Sequence, residues 1–271
     1  MRNRLYSIIV LYNENLFLTK TYKTLLEKSH LSFMVYDNSQ VAQHKSDEFP
    51  VDVVYIHDCE NGGLSKAYNF AAKYAKEHKY DWLLLLDQDT SFPTNSINKY
   101  VNAINEHEDI LLFAPVLRLT NGKPFSPANF YLKRAHASSI TQEGEYSLSK
   151  VAPVNSGMLV NTEAFLNVGG YNNDVFLDFA DFQFIERFSQ KYLLFYLLNL
   201  TCIQDFSNEE KDVVALHRRF EMYCSCAKAC DKNSIYDSFC YFYIVLRRTI
   251  GLIIRTRSFI FLNTFFKKYI A

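Results

Sequence analysis

Five consecutive large apolar residues, Trp82 to Leu86, run straight into Asp87-Gln88-Asp89. A run this short, without polar alternation, suits a strand covered on both faces. The pattern recurs along the first third of the chain. Ser7 to Tyr12 is broken by Asn13-Glu14-Asn15, Phe33 to Tyr36 stops at Asp37-Asn38-Ser39, and Val51 to Ile56 is a third run. Between them, helices are predicted over 16–28, over 64–76 after the turn Asn61-Gly62-Gly63, and over 96–106, with a further strand over 110–115. Strands alternating with helices predict βαβ units, and hence an α/β fold around a mainly parallel sheet.

In such sheets ligands bind beyond the carboxyl ends of the strands. Three polar clusters fall there: Tyr12-Asn13-Glu14, Asp37-Asn38-Ser39 and Asp87-Gln88-Asp89. Two carboxylates one residue apart can hold a hard cation, Mg²⁺ or Mn²⁺, that also bridges substrate phosphates. A helix cap and turn would use the same residue types, but the coincidence of three clusters favours a site. Asn61-Gly62-Gly63-Leu64-Ser65-Lys66-Ala67-Tyr68-Asn69 places glycines before a helix, where backbone and helix N-terminus can approach phosphate. It is neither the dinucleotide fingerprint nor a Walker loop. Asp174, Asp178 and Asp181 stand among aromatics in Gly169 to Gln183. An apolar setting raises a carboxyl pKa and suits a general base, while Asp181 also fits as the cap of a helix predicted over 182–190.

Taken together and in order, these segments resemble the family 2 glycosyltransferases with the GT-A fold, and within them the bacterial rhamnosyltransferase and galactofuranosyltransferase-like branch. The matching pieces are Ile8 to Glu14, Asp37-Asn38-Ser39, Asn61 to Asn69, Leu85 to Asp89, Asn155-Ser156-Gly157 and Gly169 to Arg187, spread over about residues 5–207. The resemblance implies a GT-A catalytic domain over 1–207 and a C-terminal helical region over 208–271. It implies that Tyr12, Glu14, Asp37, Lys66, Asn69, Asp87 and Gln88 bind the donor, with Asp37 reading the base and Lys66 beside the diphosphate. Asp89, with Asp87, would ligate the metal, and Asp181 would be the catalytic base. Ser156, Gly157, Asp178 and Arg187 would meet the acceptor. The reaction implied is inverting transfer from a nucleotide sugar, dTDP-rhamnose or a UDP-hexose, UDP-galactofuranose or UDP-hexosamine. The acceptor would be a lipid-linked saccharide in cell-surface polysaccharide (O-antigen or capsule) synthesis.

Two positions depart from the family pattern. Gln183 stands where relatives often carry an acid. Gln204, in Gln204-Asp205-Phe206-Ser207, stands where they often carry a metal-binding His. Asp205 and His217 are then candidate substitutes, and a catalytically inactive nucleotide-sugar-binding homologue is the alternative reading.

Lys plus Arg and Asp plus Glu are both 29, which excludes a nucleic-acid partner on charge. Cys224, Cys226 and Cys230 lack the spacing of a zinc site, and the cysteines together predict buried thiols in a reducing cytosol. Residues 118–150 are polar and read as a surface excursion, 151–160 as a strand, and 212 to the end as helices. After Asp237 the chain carries Arg247, Arg248, Arg255, Arg257, Lys267 and Lys268 and no acid, among large apolar residues. No run there reaches the roughly 18 residues of a membrane span. The composition predicts helices lying on the anionic inner face of the cell membrane.

Overall fold

The computed structural model describes residues 4–205 and 212–271. Strands β1 (Leu5–Leu11), β2 (Ser32–Asp37), β3 (Val53–His57) and β4 (Trp82–Asp87) form a parallel half-sheet in the order β4-β1-β2-β3. Helix α1 (Gly63–Glu77) crosses from β3 to β4. After the short β5 (Thr90–Ser91) and helix α2 (Ser96–Glu106), the second half is mixed. Strand β6 (Leu112–Leu119) leads to β7 (Pro124–Ser126), β8 (Ala128–Tyr131), β9 (Arg134–His136), β10 (Gly144–Ser147), β11 (Val151–Ala152) and β12 (Met158–Asn161). Helices α3 (Thr162–Asn167) and α4 (Ala180–Ser189) precede β13 (Leu194–Gln204). The main sheet has ten strands on the path β10-β13-β6-β12-β4-β1-β2-β3, with β5 on β13 and β7 on β6. β12 inserts antiparallel between β4 and β6, while β13 runs parallel to β6. The sheet is therefore parallel on one half and mixed on the other.

The sheet is buried on both faces, as its unbroken apolar strands require. On β4, Leu83 and Leu85 join one core while Leu84 and Leu86 join the other. Each leucine is fully buried, and such burial stabilises by about 1.5–3 kcal/mol per side chain. On α1, Ala67, Ala71, Ala72 and Ala75 share the inward face, and their small side chains bring the helix close to the sheet.

Two expectations change. The helix predicted over 16–28 is a single tight turn, Leu16–Leu18, followed by one wide turn over Tyr22–Leu26. Threonine hydroxyls tie the segment down instead: Thr19 donates to the Leu16 carbonyl, and Thr21 reaches across to the carbonyls of Asp87 and Thr90. Residues 118–150 are not a plain excursion, since β8, β9 and β11 build a second, three-stranded sheet. The boundary expected at 207 lies outside the described residues. Helices α5 (Val213–Ala229), α6 (Ile235–Thr256) and α7 (Ile260–Thr264) bring Phe220, Cys224, Tyr241 and Phe261 into the same core as Leu83 and Phe184. Burial pushes the Cys224 and Cys230 thiols up to about 12, so they are packed, protonated groups.

Candidate active site

Strand register explains how distant polar clusters meet. Leu11 pairs with Asp37 and Val10 with Asp87, so β1, β2 and β4 end at one edge of the sheet. Beyond that edge lies a cavity of 460 Å³. Its walls include Tyr12 and Asn38 from the strand ends, Asp87, Gln88 and Asp89, Asn155 and Ser156 before β12, Phe176 to Phe179 before α4 and Asp181 on its first turn, Gln204, and Arg219 and Met222 from α5.

Asp87 is clamped on both oxygens. Tyr68 donates its hydroxyl to Oδ1 at 3.0 Å and Ser156 donates to Oδ2. Asn155 Nδ2 donates to the same Tyr68 hydroxyl at 3.1 Å, linking α1 to the segment before β12. Desolvation raises the Asp87 pKa, and the two hydroxyl donors pull the other way. Gln88 brackets the Tyr12 backbone, its Oε1 accepting from Tyr12 N at 2.8 Å, which fixes the loop after β1. Asp89 receives a bond from Gln204 Nε2 at 2.6 Å, and the other end of that amide accepts from Thr90. Gln204 thus holds Asp89 as a donor. Burial pushes Asp89 up to about 7, and the charge of Asp87, with smaller effects of Asp205 and Glu14, adds to it.

That crowding is the test of fit for a cation. The charges of Asp87, Asp205 and Glu14 all disfavour an ionised Asp89, and a divalent ion would relieve it. Among the described residues, however, no group of three or more His, Cys, Asp and Glu converges on one point. The donor set fits an ion held by Asp89, backed by Asp87, and completed by substrate oxygens. His217 takes no part: its Nε2 lies 2.6 Å from the Thr264 hydroxyl, tying α5 to α7.

Asp181 enters the cavity on the first turn of α4. The residue before α4, Phe179, has φ 71°, a left-handed conformation that is strained for an aromatic residue. Its ring is held against Tyr223 at 4.8 Å and Tyr241 at 5.6 Å. Burial pushes Asp181 up to about 7, despite a bond from the Phe182 amide at 2.9 Å. Gln183 is buried and lies outside the cavity.

Several predicted residues do other work. Lys66 is paired with Asp58 at 2.8 Å and does not line the cavity. At the N-terminus of α1, Asn61, Gly63 and Leu64 line the cavity, while Leu64 N and the Ser65 hydroxyl donate to the carbonyls of Phe176 and Val175. Gly63, at φ 81°, is needed there: a Cβ would lie 2.3 Å from the Phe176 oxygen. Asn69 clasps the Tyr171 backbone on both sides, at 2.8 Å each, and so builds the loop before α4. Asp37 accepts from Ser39 N, Gln43 N and the Tyr55 hydroxyl. These bonds hold its pKa below the usual carboxylate range against the opposing effect of burial. Asp37 is fully buried and shapes the loop, while the next residue, Asn38, reaches the cavity. Gly157 bonds to Leu85 and Tyr100 through its backbone, outside the lining. Arg187 is bound to Asp231 and the Gly170 carbonyl, also outside it. Asp178 lines the cavity but is forked by Arg219. Glu14 acts on Asp89 through its charge, outside the lining. Sequence reasoning missed Arg219 and Met222, which only the fold-back of α5 brings to the site.

The sequence model of Glycosyl transferase family 2 matches residues 7–165, which include β1, the Asp87-Gln88-Asp89 turn and β12. The chain belongs to this family. It is similar to the dTDP-rhamnosyl transferase RfbF of Shigella flexneri, 24% identical over 189 residues that make up 69% of this chain and 64% of that one. The chain therefore spans less than two thirds of that relative. Its fold is that of GT-A glycosyltransferases. GalNAc-T7, solved with UDP, GalNAc and Mn²⁺, superposes with a TM-score of 0.62 at 13% identity, covering 99% of this chain and 54% of the other. Residues 1–349 of S. aureus TarS, in complex with UDP, give 0.51 at 13% identity, covering 92% and 72%.

Proposed function

We propose that this chain moves a sugar, rhamnose in the first instance, from a nucleoside diphosphate to a hydroxyl of a saccharide acceptor, with inversion at the anomeric carbon. The observation that carries this reading is the single cavity with Asp181 on one side and Asp87-Gln88-Asp89 on the other. A carboxyl group raised to about 7 by burial is a base matched to neutral pH. The acceptor hydroxyl gives its proton to the Asp181 carboxylate as its oxygen bonds to C1. The bond from C1 to the diphosphate oxygen breaks on the opposite face, and the electron pair leaves with the diphosphate. A divalent ion, Mg²⁺ or Mn²⁺, held by Asp89 and Asp87, would supply charge neutralisation for that leaving group. The protein's share is orientation: Tyr68 and Ser156 fix Asp87, Gln204 fixes Asp89, and the Phe179 turn fixes Asp181. Rhamnose is favoured over a UDP-hexose, UDP-galactofuranose or UDP-hexosamine by the relative named as a dTDP-rhamnosyl transferase.

The acceptor we propose is lipid-linked, of the kind used in bacterial cell-surface polysaccharide synthesis, with the enzyme at the cytoplasmic face of the membrane. No described helix is long and apolar enough to cross a membrane. Helix α6 nevertheless exposes Tyr236, Phe239, Tyr243, Ile250 and Ile254 along one side, with Arg247, Arg255 and Arg257 beside them. That pairing of aromatic and aliphatic groups with arginine suits an anionic lipid surface. Incubating the chain with a panel of nucleotide sugars and Mn²⁺ tests the core of the proposal. Release of nucleoside diphosphate from one donor, and an inverted linkage by NMR of the product, is the expected result. An inert panel would support the binding-only homologue.

A further inference from the structure

A second cavity, of 750 Å³, adjoins the first. The two share Asp178, Phe179 and Phe182 as a common wall. One side of the second groove is β9 and the residue before it, contributing Arg134 and Lys133; the other is α6, contributing Arg247, Arg248 and Arg255. Against these five cations the groove has one acid, Asp178, which is already forked by Arg219. Lys133 is likewise committed, to Glu186 at 2.7 Å and Asp237 at 3.0 Å. Arg248 lies over the ring of Tyr223, 4.1 Å from its centre. Arg134 and Arg247 have no carboxylate within ion-pair range among the described residues, and both are exposed. Their charges reach the ring of His136 and, after burial, help hold its pKa below the usual histidine value. The groove also has an apolar floor and exit. Phe179, Phe182 and Ile244 line it, and Ile250 and Ile254 carry it onto the exposed side of α6.

We infer that this groove seats the diphosphate of the acceptor, with the sugar reaching Asp181 across Phe179 and Phe182 and an alkyl chain leaving along Ile250 and Ile254. Guanidinium forks match phosphate oxygens in pairs, and an excess of arginines suits more than one phosphate charge. The donor's own diphosphate is accounted for at Asp89 in the other cavity. The shared wall is what turns a basic patch into part of a substrate path: an acceptor whose hydroxyl lies at Asp181 has its other end in the arginine groove. The assignment deepens the transferase reading and rests on it for the identity of the acceptor.

The test uses the full chain in EDTA, so that no cation-bridged diphosphate forms at Asp89. The probe is geranyl diphosphate, titrated by calorimetry beside inorganic pyrophosphate. Saturable binding of geranyl diphosphate is expected, with pyrophosphate weaker by about tenfold or more, since the apolar floor contributes in proportion to buried area. The double substitution Arg134→Gln with Arg247→Gln is expected to weaken geranyl diphosphate by about tenfold or more. The double variant is required to melt like the native chain, and Arg247→Lys, which keeps the charge but not the fork, is expected to lose less affinity than Arg247→Gln. No binding to the native chain, or equal binding by the double variant, overturns the assignment. Pyrophosphate binding as tightly as geranyl diphosphate makes the groove a free-phosphate site and overturns it too. So does full displacement of the probe by phosphatidylglycerol vesicles, which would make it a headgroup site. Donor turnover is measured separately. Its failure with binding intact sinks the transferase reading, and failed binding with turnover intact sinks only the groove.

Discussion

Asp181→Asn separates the two consequences of burying a carboxyl group at the cavity wall. The amide keeps the shape and the oxygen that accepts from the Phe182 amide, but it cannot take a proton. Loss of a positioned general base costs about 10² to 10⁴ in rate, so kcat is expected to fall by that factor with little change in donor KM. The second consequence is stability. The folded-state pKa is raised, from an ordinary 3.8 to about 7. A carboxyl group raised in this way stabilises the fold below its unfolded pKa and loses that contribution as pH climbs through the folded value. Between pH 5 and pH 8 the loss spans about two pH units, and at 1.36 kcal/mol for each it is at most about 2.7 kcal/mol. Solvent at the cavity mouth trims this to about 1–2 kcal/mol. For a chain of this size that is roughly 2–8 °C in Tm.

The asparagine variant has no such proton to lose. Its Tm relative to wild type should therefore rise from pH 5 to pH 8, while its activity is low throughout. In wild type, the rise of kcat/KM with pH should have its midpoint near neutrality, and the variant's residual activity should lack that limb. Paired thermal melts and rate profiles at the two pH values check both effects. A constant Tm difference across this range would refute the buried-carboxyl reasoning. A variant within a few-fold of wild-type kcat would move the base role elsewhere, with Asp178 next in position.

Three further outcomes are expected. Asp89→Ala should abolish metal-dependent transfer while leaving the melt nearly unchanged, and full wild-type activity in excess EDTA would remove the cation from the reaction. Gly63→Ala drives a Cβ against the Phe176 carbonyl at 2.3 Å and forces a left-handed φ on alanine. It should lower stability by about 1–3 kcal/mol and disturb the Asp181 loop, and an unchanged melt counts against that close contact. Replacing Arg257, Lys267 and Lys268 with Gln should weaken sedimentation with anionic vesicles, at about 1 kcal/mol per charge, and added salt should do the same to the native chain. Binding that ignores both changes rules out an electrostatic membrane contact.

The strand ends were legible in the sequence because a fully buried strand must be apolar throughout and must stop where polar groups meet solvent. The Trp82–Asp87 run therefore revealed both the element and its functional tip. Ser96–Glu106 was legible as a helix for the complementary reason, its apolar residues falling on one face. The threonines at 19 and 21 hid the turns over 16–28, since the Thr21 hydroxyl bond depends on a strand end nearly seventy residues away. The contacts of Lys66 and Asn69 were not legible, because a glycine turn before a helix looks the same whether it meets phosphate or, as Leu64 N and the Ser65 hydroxyl do, the Val175–Phe176 backbone. What decides is the loop before α4, whose position no local pattern records. Arg219 was invisible for the same kind of reason.

That loop ties the two ends of the chain into one device. Asn69 and the start of α1 grip it from the nucleotide-binding half. Arg219 grips Asp178 from α5, and Tyr223 and Tyr241 hold the strained Phe179 from α5 and α6. The Asp181 carboxyl therefore takes its position from both sides, two residues beyond a backbone conformation that those contacts maintain. Removing the residues after 207 would then not leave a smaller enzyme with a lost anchor. It would release Asp178 and Phe179 from their partners and with them the geometry of the base.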